Sequence, residues 1–264
     1  MPLDNSPFQI DCDSISQQIE QFISDMVKKS GTKGIVIALS GGIDSSVAAA
    51  LAVRALGKDK VLGLILPSAI SPSSSEQDAR KLAEQLGIQV KKIPITELMT
   101  AFSASVDQEI TNDRVAFGNA MARFRMIILY AYSNHLNYLV IGTSNKSEIL
   151  VGYITKYGDG GVDFEPCGGL YKTQIRLLAN YLAIPEEIIK KPPSAELWEG
   201  QTDEGEMGIS YELLDLVLLG FEKDLSTNQI SEELNIDLSL VEKVQKMVKQ
   251  SAHKRSMPPI LEID

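Results

Sequence analysis

The chain has 264 residues, 44% of them hydrophobic and 23% charged, the profile of a soluble globular protein long enough to bury a sizeable core in one large domain or two small ones. Its 35 acidic against 25 basic side chains leave a formal charge of -10. That is the wrong sign for a general binder of nucleic acid or anionic membrane, so any phosphate site must be local. Two cysteines (Cys12, Cys167) and two histidines (His135, His253) exclude a disulfide scaffold and a Cys/His metal cluster. No run approaches the roughly 20 apolar residues of a membrane span. The start, MPLDNSPFQIDCDS, lacks the basic region and apolar stretch of a signal peptide, so a cytoplasmic location is expected.

In chain order, apolar residues at helical spacing (Ile19, Phe22, Ile23, Met26) predict a helix over 15–29. The β-branched run Gly34–Leu39 reads as a strand buried on both faces. An Ala-rich helix over 45–56 and a second buried strand over 61–66 follow. A Ser/Pro-rich loop over 67–75 leads to a helix over 76–86, closed by Gly87, and to a third strand over 88–93. Helices are predicted over 96–106 and 112–134, and a fourth strand over 138–141. Strand–helix alternation of this kind predicts an α/β fold: a doubly wound, mostly parallel sheet with helices on both faces. Ligands in such sheets bind beyond the carboxyl ends of the strands. Residues 151–169, rich in Gly and aromatics, read as a functional loop, 172–183 as helix, and 190–208 as an acidic, Gly-punctuated mobile loop. Helix resumes at Tyr211, and 226–250 reads as two short helices. The expectation is one domain over 1–264 with a helical C-terminal extension over about 210–264.

The strongest chemical signal is Ser40-Gly41-Gly42-Ile43-Asp44-Ser45-Ser46, set between a buried strand and a helix. Glycines permit close backbone approach and left-handed dihedrals. The first turn of the next helix offers unpaired N–H groups and the positive end of a dipole, so the loop forms an anion cradle sized for phosphate. Ser40, Ser45 and Ser46 add hydroxyl donors. It is neither a GxxxxGK[ST] loop nor GxGxxG. Asp44 is unexpected in a phosphate nest unless a cation such as Mg²⁺ bridges it to the phosphates. The alternative is a plain glycine turn with Asp44 near a helix cap.

SGGIDSS after a buried strand resembles the PP-loop of the ATP pyrophosphatase superfamily. Gly142-Thr143-Ser144-Asn145-Lys146-Ser147-Glu148, then Lys156-Tyr157-Gly158-Asp159-Gly160-Gly161-Val162-Asp163, then Gly169-Leu170-Tyr171-Lys172-Thr173-Gln174 extend the resemblance, over nearly the whole chain, to the ammonia-dependent NAD synthetase family. The resemblance implies an adenine nucleotide alpha-hydrolase-like fold. It also implies that ATP and ammonia convert deamido-NAD to NAD, AMP and pyrophosphate through an adenylated intermediate. ATP would then lie against Ser40 to Ser46, Arg123, Thr143, Lys172 and Ser194. Asp44 and Glu148 would share Mg²⁺. Deamido-NAD would meet Asn119, Arg123, Lys156, Tyr157, Asp159, Asp163, His253 and Lys254. Asp44, Lys172 and Asp159 are the expected catalytic groups, with Asp159 or Asp163 receiving ammonia or its proton. The resemblance further implies a homodimer with 112–135 near its interface, and free ammonia as nitrogen source.

Several of these residues also have plainer readings. Glu148 could be a solvated first-turn glutamate, and Lys172 a surface lysine. Asn119 and Arg123, four apart, share a helix face, whereas Arg125 points elsewhere; both arginines could form only surface ion pairs. Asp-Gly-Gly is also a good tight turn. Cys167 reads as a packing residue, and 226–249, though spaced like a helix-turn-helix, carries too much acid for DNA. Two rival functions are another PP-loop enzyme, acting on tRNA or a GMP precursor, and a non-catalytic adenine-nucleotide sensor. The first leaves KYGDGGVD or the acidic surface unexplained, and the second has little need of Asp44, Glu148 and Lys172 together.

Overall fold

The computed structural model describes residues 3–262. Asp11 caps α1 (Cys12–Ser30) by accepting from the amides of Asp13 and Ser14. β1 (Ile35–Ala38) runs into α2 (Ile43–Leu56), and β2 (Val61–Ile65) into α3 (Ser73–Leu86). β3 (Gln89–Lys92), α4 (Thr96–Ser105), α5 (Gln108–Asn112) and α6 (Arg114–Leu136) follow, then β4 (Leu139–Val140) and α7 (Lys146–Val151). Beyond the 151–171 loop come α8 (Lys172–Tyr181), α9 (Glu186–Lys190) and α10 (Asp203–Met207), then α11 (Tyr211–Glu222), α12 (Thr227–Leu234) and α13 (Leu238–Gln250).

The four strands are parallel in the order β3-β2-β1-β4. Successive strand residues alternate between two cores. Ile35, Ile37, Val61 and Ile65 pack with α1, α2, α3 and α8, whereas Val36, Leu62, Leu64 and Val140 pack with α4 and α6. Both sheet faces are thus covered, as the unbroken apolar runs predicted. A third cluster, around Leu214, Val217, Ile230, Val241 and Val244, joins α11, α12 and α13 to one another and to Phe8, Val151 and Tyr171. Its buried residues leave α12 and α13 packing on α11.

The predicted boundaries shift in several places: α3 begins at Ser73 inside the predicted 67–75 loop, α10 forms inside the predicted 190–208 loop, and two further shifts have identifiable reasons. Asp113 accepts from the amides of Val115 and Ala116, so α6 starts at Arg114 and residues before it form the separate α5. β4 is only two residues long, although a single parallel bridge pairs Ile141 with Phe164 beyond it. There the chain leaves the sheet to build the site.

Candidate active site

The Ser40–Ser46 loop connects β1 to α2 at the carboxyl end of the sheet, where the strand order reverses between β2 and β4. Gly41 has φ +77, and a Cβ there would meet the Ser75 carbonyl oxygen at 2.2 Å, so only glycine fits. The serine hydroxyls turn inward. Ser45 Oγ lies 3.0 Å from Ser40 Oγ, and Ser45 and Ser46 both donate to the Gly42 carbonyl, at 3.1 and 2.7 Å. They shape the loop, and Ser46 is wholly buried. Ser40, Gly42, Ile43, Asp44 and Ser45 face a cavity of about 680 Å³, a size suited to a small-molecule site.

Lys172, the first residue of α8, is 1% exposed and sits at the heart of this cavity wall. Its ammonium donates to Asp44 Oδ2 at 2.5 Å and to Glu148 Oε1 at 3.1 Å. Burial disfavours the charged lysine, but the Asp44 and Glu148 carboxylates outweigh it and raise the group above its ordinary range. Burial, offset by the ammonium and reinforced by Asp44 and Asp203, pushes Glu148 up to about 7.

These charges are held by the helix ends. Asn145 and Glu148 form a reciprocal capping box at the start of α7. The Asn145 side chain also donates to Asp44 Oδ1 at 2.9 Å. Asp215, fully buried on α11, accepts from Ser147 Oγ at 2.5 Å, from the Thr173 amide at 2.9 Å and from Thr173 Oγ1 at 2.7 Å. The Lys172 amide in turn donates to Ser147 Oγ at 3.0 Å. One buried carboxylate therefore locks α7 to α8, and with them Glu148 to Lys172.

The remaining predicted residues fall into two groups. Thr143, Asn119, Asp159, Ser194 and Lys254 line the cavity with the PP-loop, Glu148 and Lys172. Asp159 accepts from the Thr155 amide at 2.8 Å, and Thr155 Oγ1 donates to the Asn119 side-chain carbonyl at 2.7 Å. Lys254 donates to the Gly152 and Ile154 carbonyls, both at 2.7 Å. Ser194 Oγ donates to the Gln201 carbonyl at 2.7 Å. Arg123, Lys156, Tyr157, Asp163 and His253 lie outside the cavity lining, as do Gly41 and Ser46. Arg123 donates to the Lys156 carbonyl at 3.3 Å, and Lys156 to the His253 carbonyl at 2.6 Å. Asp163 accepts from Tyr130 at 3.1 Å and from the Val140 amide at 2.6 Å, which ties it to the end of β4.

The two arginines of α6 exchange the places expected for them. Arg125 lines the cavity and donates to the Leu66 carbonyl at 3.0 Å, while Arg123 leans outward. They flank the cavity-facing stripe Asn119–Ala122–Met126 on opposite sides, and helical spacing alone does not choose between them. Sequence reasoning also passed over Asn145, Asp203, Tyr211, Asp215 and Glu165. Only Asn145 carries a local signal, the Asn-x-x-Glu cap. Cys167 is a buried member of the sheet core, and burial raises its thiol, in keeping with packing.

The 191–208 segment covers the cavity. Ser75 donates to Glu196 Oε1 at 2.5 Å and Lys191 donates to Ser75 Oγ at 2.7 Å, pinning the segment to α3. Leu197 packs against α6 at Gly118, where a Cβ would come within 3.0 Å of it.

A sequence model of the NAD synthase family matches residues 15–258. The chain belongs to the NAD synthase family. It is 46% identical to an NH(3)-dependent NAD(+) synthetase of Methanosarcina mazei over 96% of this chain and 100% of that one. Among solved structures, an NH3-dependent NAD synthetase from Campylobacter jejuni superposes with a TM-score of 0.81 at 38% identity, covering 96% of this chain and 100% of that one. An NMN synthetase from Francisella tularensis gives a TM-score of 0.85 at 38% identity, covering 97% and 100%. The chain is thus an enzyme of the NAD synthase family.

Proposed function

We propose that the chain amidates deamido-NAD with ammonia, consuming ATP and releasing NAD, AMP and pyrophosphate through an adenylated deamido-NAD. Support comes from the buried Lys172 ammonium held between Asp44 and Glu148 beside the Ser40–Ser46 loop, in a chain of the NAD synthase family. In the first half-reaction the nicotinate carboxylate attacks the α-phosphorus of ATP. The first-turn amides of α2 at Ile43, Asp44 and Ser45 have no carbonyl partner within the helix, and they face the leaving pyrophosphate. Lys172 and Arg125 add positive charge. The catalysis asked of the protein is positioning and electrostatics. In the second half-reaction ammonia attacks the acyl carbon, AMP leaves, and Asp159, exposed within the cavity lining, accepts the proton. The 191–208 cover keeps water from the adenylate.

Mg²⁺ fits the same place. Three carboxylates, Asp44, Glu148 and Asp203, surround a single ammonium, and Asp203 Oδ1 is buried with no partner. Among the described residues no three His, Cys, Asp or Glu side chains converge into a complete metal site. Asp44 and Glu148 would therefore share the ion with phosphate oxygens and water. When bound it would neutralise charge developing on the phosphates.

The outer group, Arg123, Lys156, Tyr157, Asp163 and His253, we assign to deamido-NAD and to a face shared with a second copy. Arg123, Ile127 and Tyr130 share one flank of α6, and Ile127 and Tyr157 are 55% and 51% exposed. A homodimer follows, and sedimentation tests it. Among the described residues no helix is long and apolar enough to cross a membrane, and a cytoplasmic enzyme is our reading.

The deciding assay is AMP release that requires both deamido-NAD and ammonia. The Francisella neighbour's name raises a second reading, in which the mononucleotide replaces the dinucleotide. A higher kcat/KM for nicotinate mononucleotide than for deamido-NAD would establish that reading, and AMP release with neither would refute both.

A further inference from the structure

Tyr211 is fully buried at the first turn of α11, and its hydroxyl touches two carboxylates from distant parts of the chain. Glu148 Oε1 lies at 3.2 Å and Asp203 Oδ2 at 3.0 Å. Glu148 belongs to α7, beside the PP-loop. Asp203 belongs to α10, within the segment that covers the cavity. A phenol carries one hydrogen, so it donates to one of these carboxylates at a time. The tyrosine ring also lies beneath the Lys172 ammonium, 4.8 Å from ring centre to nitrogen. Asp203 is 5% exposed, and its second oxygen is buried without a partner. A phenylalanine would fill the core equally well and would bring no hydroxyl among these charges. A buried hydroxyl is costly unless it is used.

We propose, resting on the active-site reading above, that Tyr211 and Asp203 are positioning residues that couple closure of the 191–208 cover to Glu148. With the cover down, Asp203 accepts the Tyr211 hydrogen and leaves Glu148 Oε1 open to Lys172 and to a nucleotide-bound cation. With the cover raised, the same hydrogen goes to Glu148 and occupies that oxygen. Cover closure and cation engagement then favour each other. By linkage, magnesium tightens ATP binding partly by drawing the cover down. The other anchors of the cover, Glu196 on Ser75 and Leu197 on Gly118, hold its far end and do not touch Glu148.

The sequence supplies a reporter, because its single tryptophan, Trp198, lies in the cover with its ring over the Arg114 guanidinium. The test uses the full chain with ATP, with and without magnesium, and without deamido-NAD or ammonia. ATP affinity is read by calorimetry and closure by Trp198 fluorescence and protection of the 191–208 segment from protease. Tyr211→Phe should bind metal-free ATP within about twofold of wild type, and both it and Asp203→Ala should lose about tenfold of magnesium's effect on affinity and most of the closure signal. The double variant should lose no more than either single one, because both act through one hydrogen. Asp203→Asn, which keeps an acceptor oxygen, should retain most of the effect.

Four results would each overturn the coupling: a wild type without a magnesium effect, a Tyr211→Phe protein that keeps the wild-type effect, losses that add in the double variant, or equal losses with and without magnesium. Should Tyr211→Phe fail to fold, as read by its melting curve, the contrast between Asp203→Ala and Asp203→Asn decides the coupling by itself. A wild type that closes on magnesium and ATP but makes no AMP once deamido-NAD and ammonia are added would remove the proposed function and leave the coupling intact.

Discussion

Glu165 offers a direct measurement of the electrostatics beneath the site. Its carboxylate accepts the Ser144 amide at 3.0 Å, under the Gly142–Asn145 loop, and a Cβ on Gly142 would land 2.2 Å from it. Burial, partly offset by Ser144 and reinforced by Asp159 and Glu148, pushes it up to about 8 from 4.5. The folded state therefore holds a proton that the unfolded chain has lost, and stability falls as pH rises from the lower value to the higher. Fully expressed, that displacement is worth about 5 kcal/mol. The side chain is partly reached by solvent, which screens the penalty, and about 2 kcal/mol is expected. Glu165→Gln keeps an acceptor for Ser144 and removes the titration. In urea unfolding, the variant and wild type should match within about 0.5 kcal/mol near pH 4.5, and the variant should lead by about 2 kcal/mol near pH 8. Parallel stability curves across that range would refute the reasoning, and so would a variant less stable than wild type near pH 8.

Other substitutions test other parts of the site. Lys172→Met leaves the half-buried Asp44 and Glu148 without their ammonium, and should abolish AMP formation and cost about 3 kcal/mol near pH 8. The deficit should shrink below about pH 6, because Glu148 already titrates at about 7 and then goes neutral; urea melts across pH would check this. Gly41→Ala must adopt φ +77 and meet the Ser75 carbonyl, so the loop should shift, with ATP's KM rising about tenfold or more and stability falling about 2 kcal/mol. Asp215→Asn turns an amide N–H₂ toward donors at Ser147 or Thr173, and should cost about 2 kcal/mol and lower kcat more than it raises KM.

What could be read from the residues alone was local. The PP-loop, the alternation of strands and helices, and the buried sheet all follow from patterns a few residues long, and the described fold matches them. Contacts between distant segments had no such signature. Lys172 and Asp44 are 128 residues apart, and only the resemblance to a family joined them. Tyr211 heads an apolar helix and reads as core, because nothing nearby announces the two carboxylates that its hydroxyl meets. Arg123 and Arg125 differ by two positions on one helix, and they part on the distant carbonyls they meet: Arg125 donates to Leu66 and lines the cavity, and Arg123 donates to Lys156 outside it.

Asn145 shows why local signals and active sites overlap without coinciding. Its side chain accepts the Glu148 amide, and Glu148 returns a contact to the Asn145 amide, as a capping box requires. That exchange fixes the glutamate on the first turn of α7 with its other oxygen, Oε1, turned to Lys172. The Asn145 side-chain Nδ2 donates to Asp44, 101 residues away, and orients the PP-loop carboxylate. A cap worth about 1 kcal/mol to a short helix thereby sets the positions of both carboxylates that grip the ammonium. Asn145→Ala should consequently disturb activity well beyond its effect on stability, whereas Asn145→Asp would keep the cap and place a fourth carboxylate against Asp44.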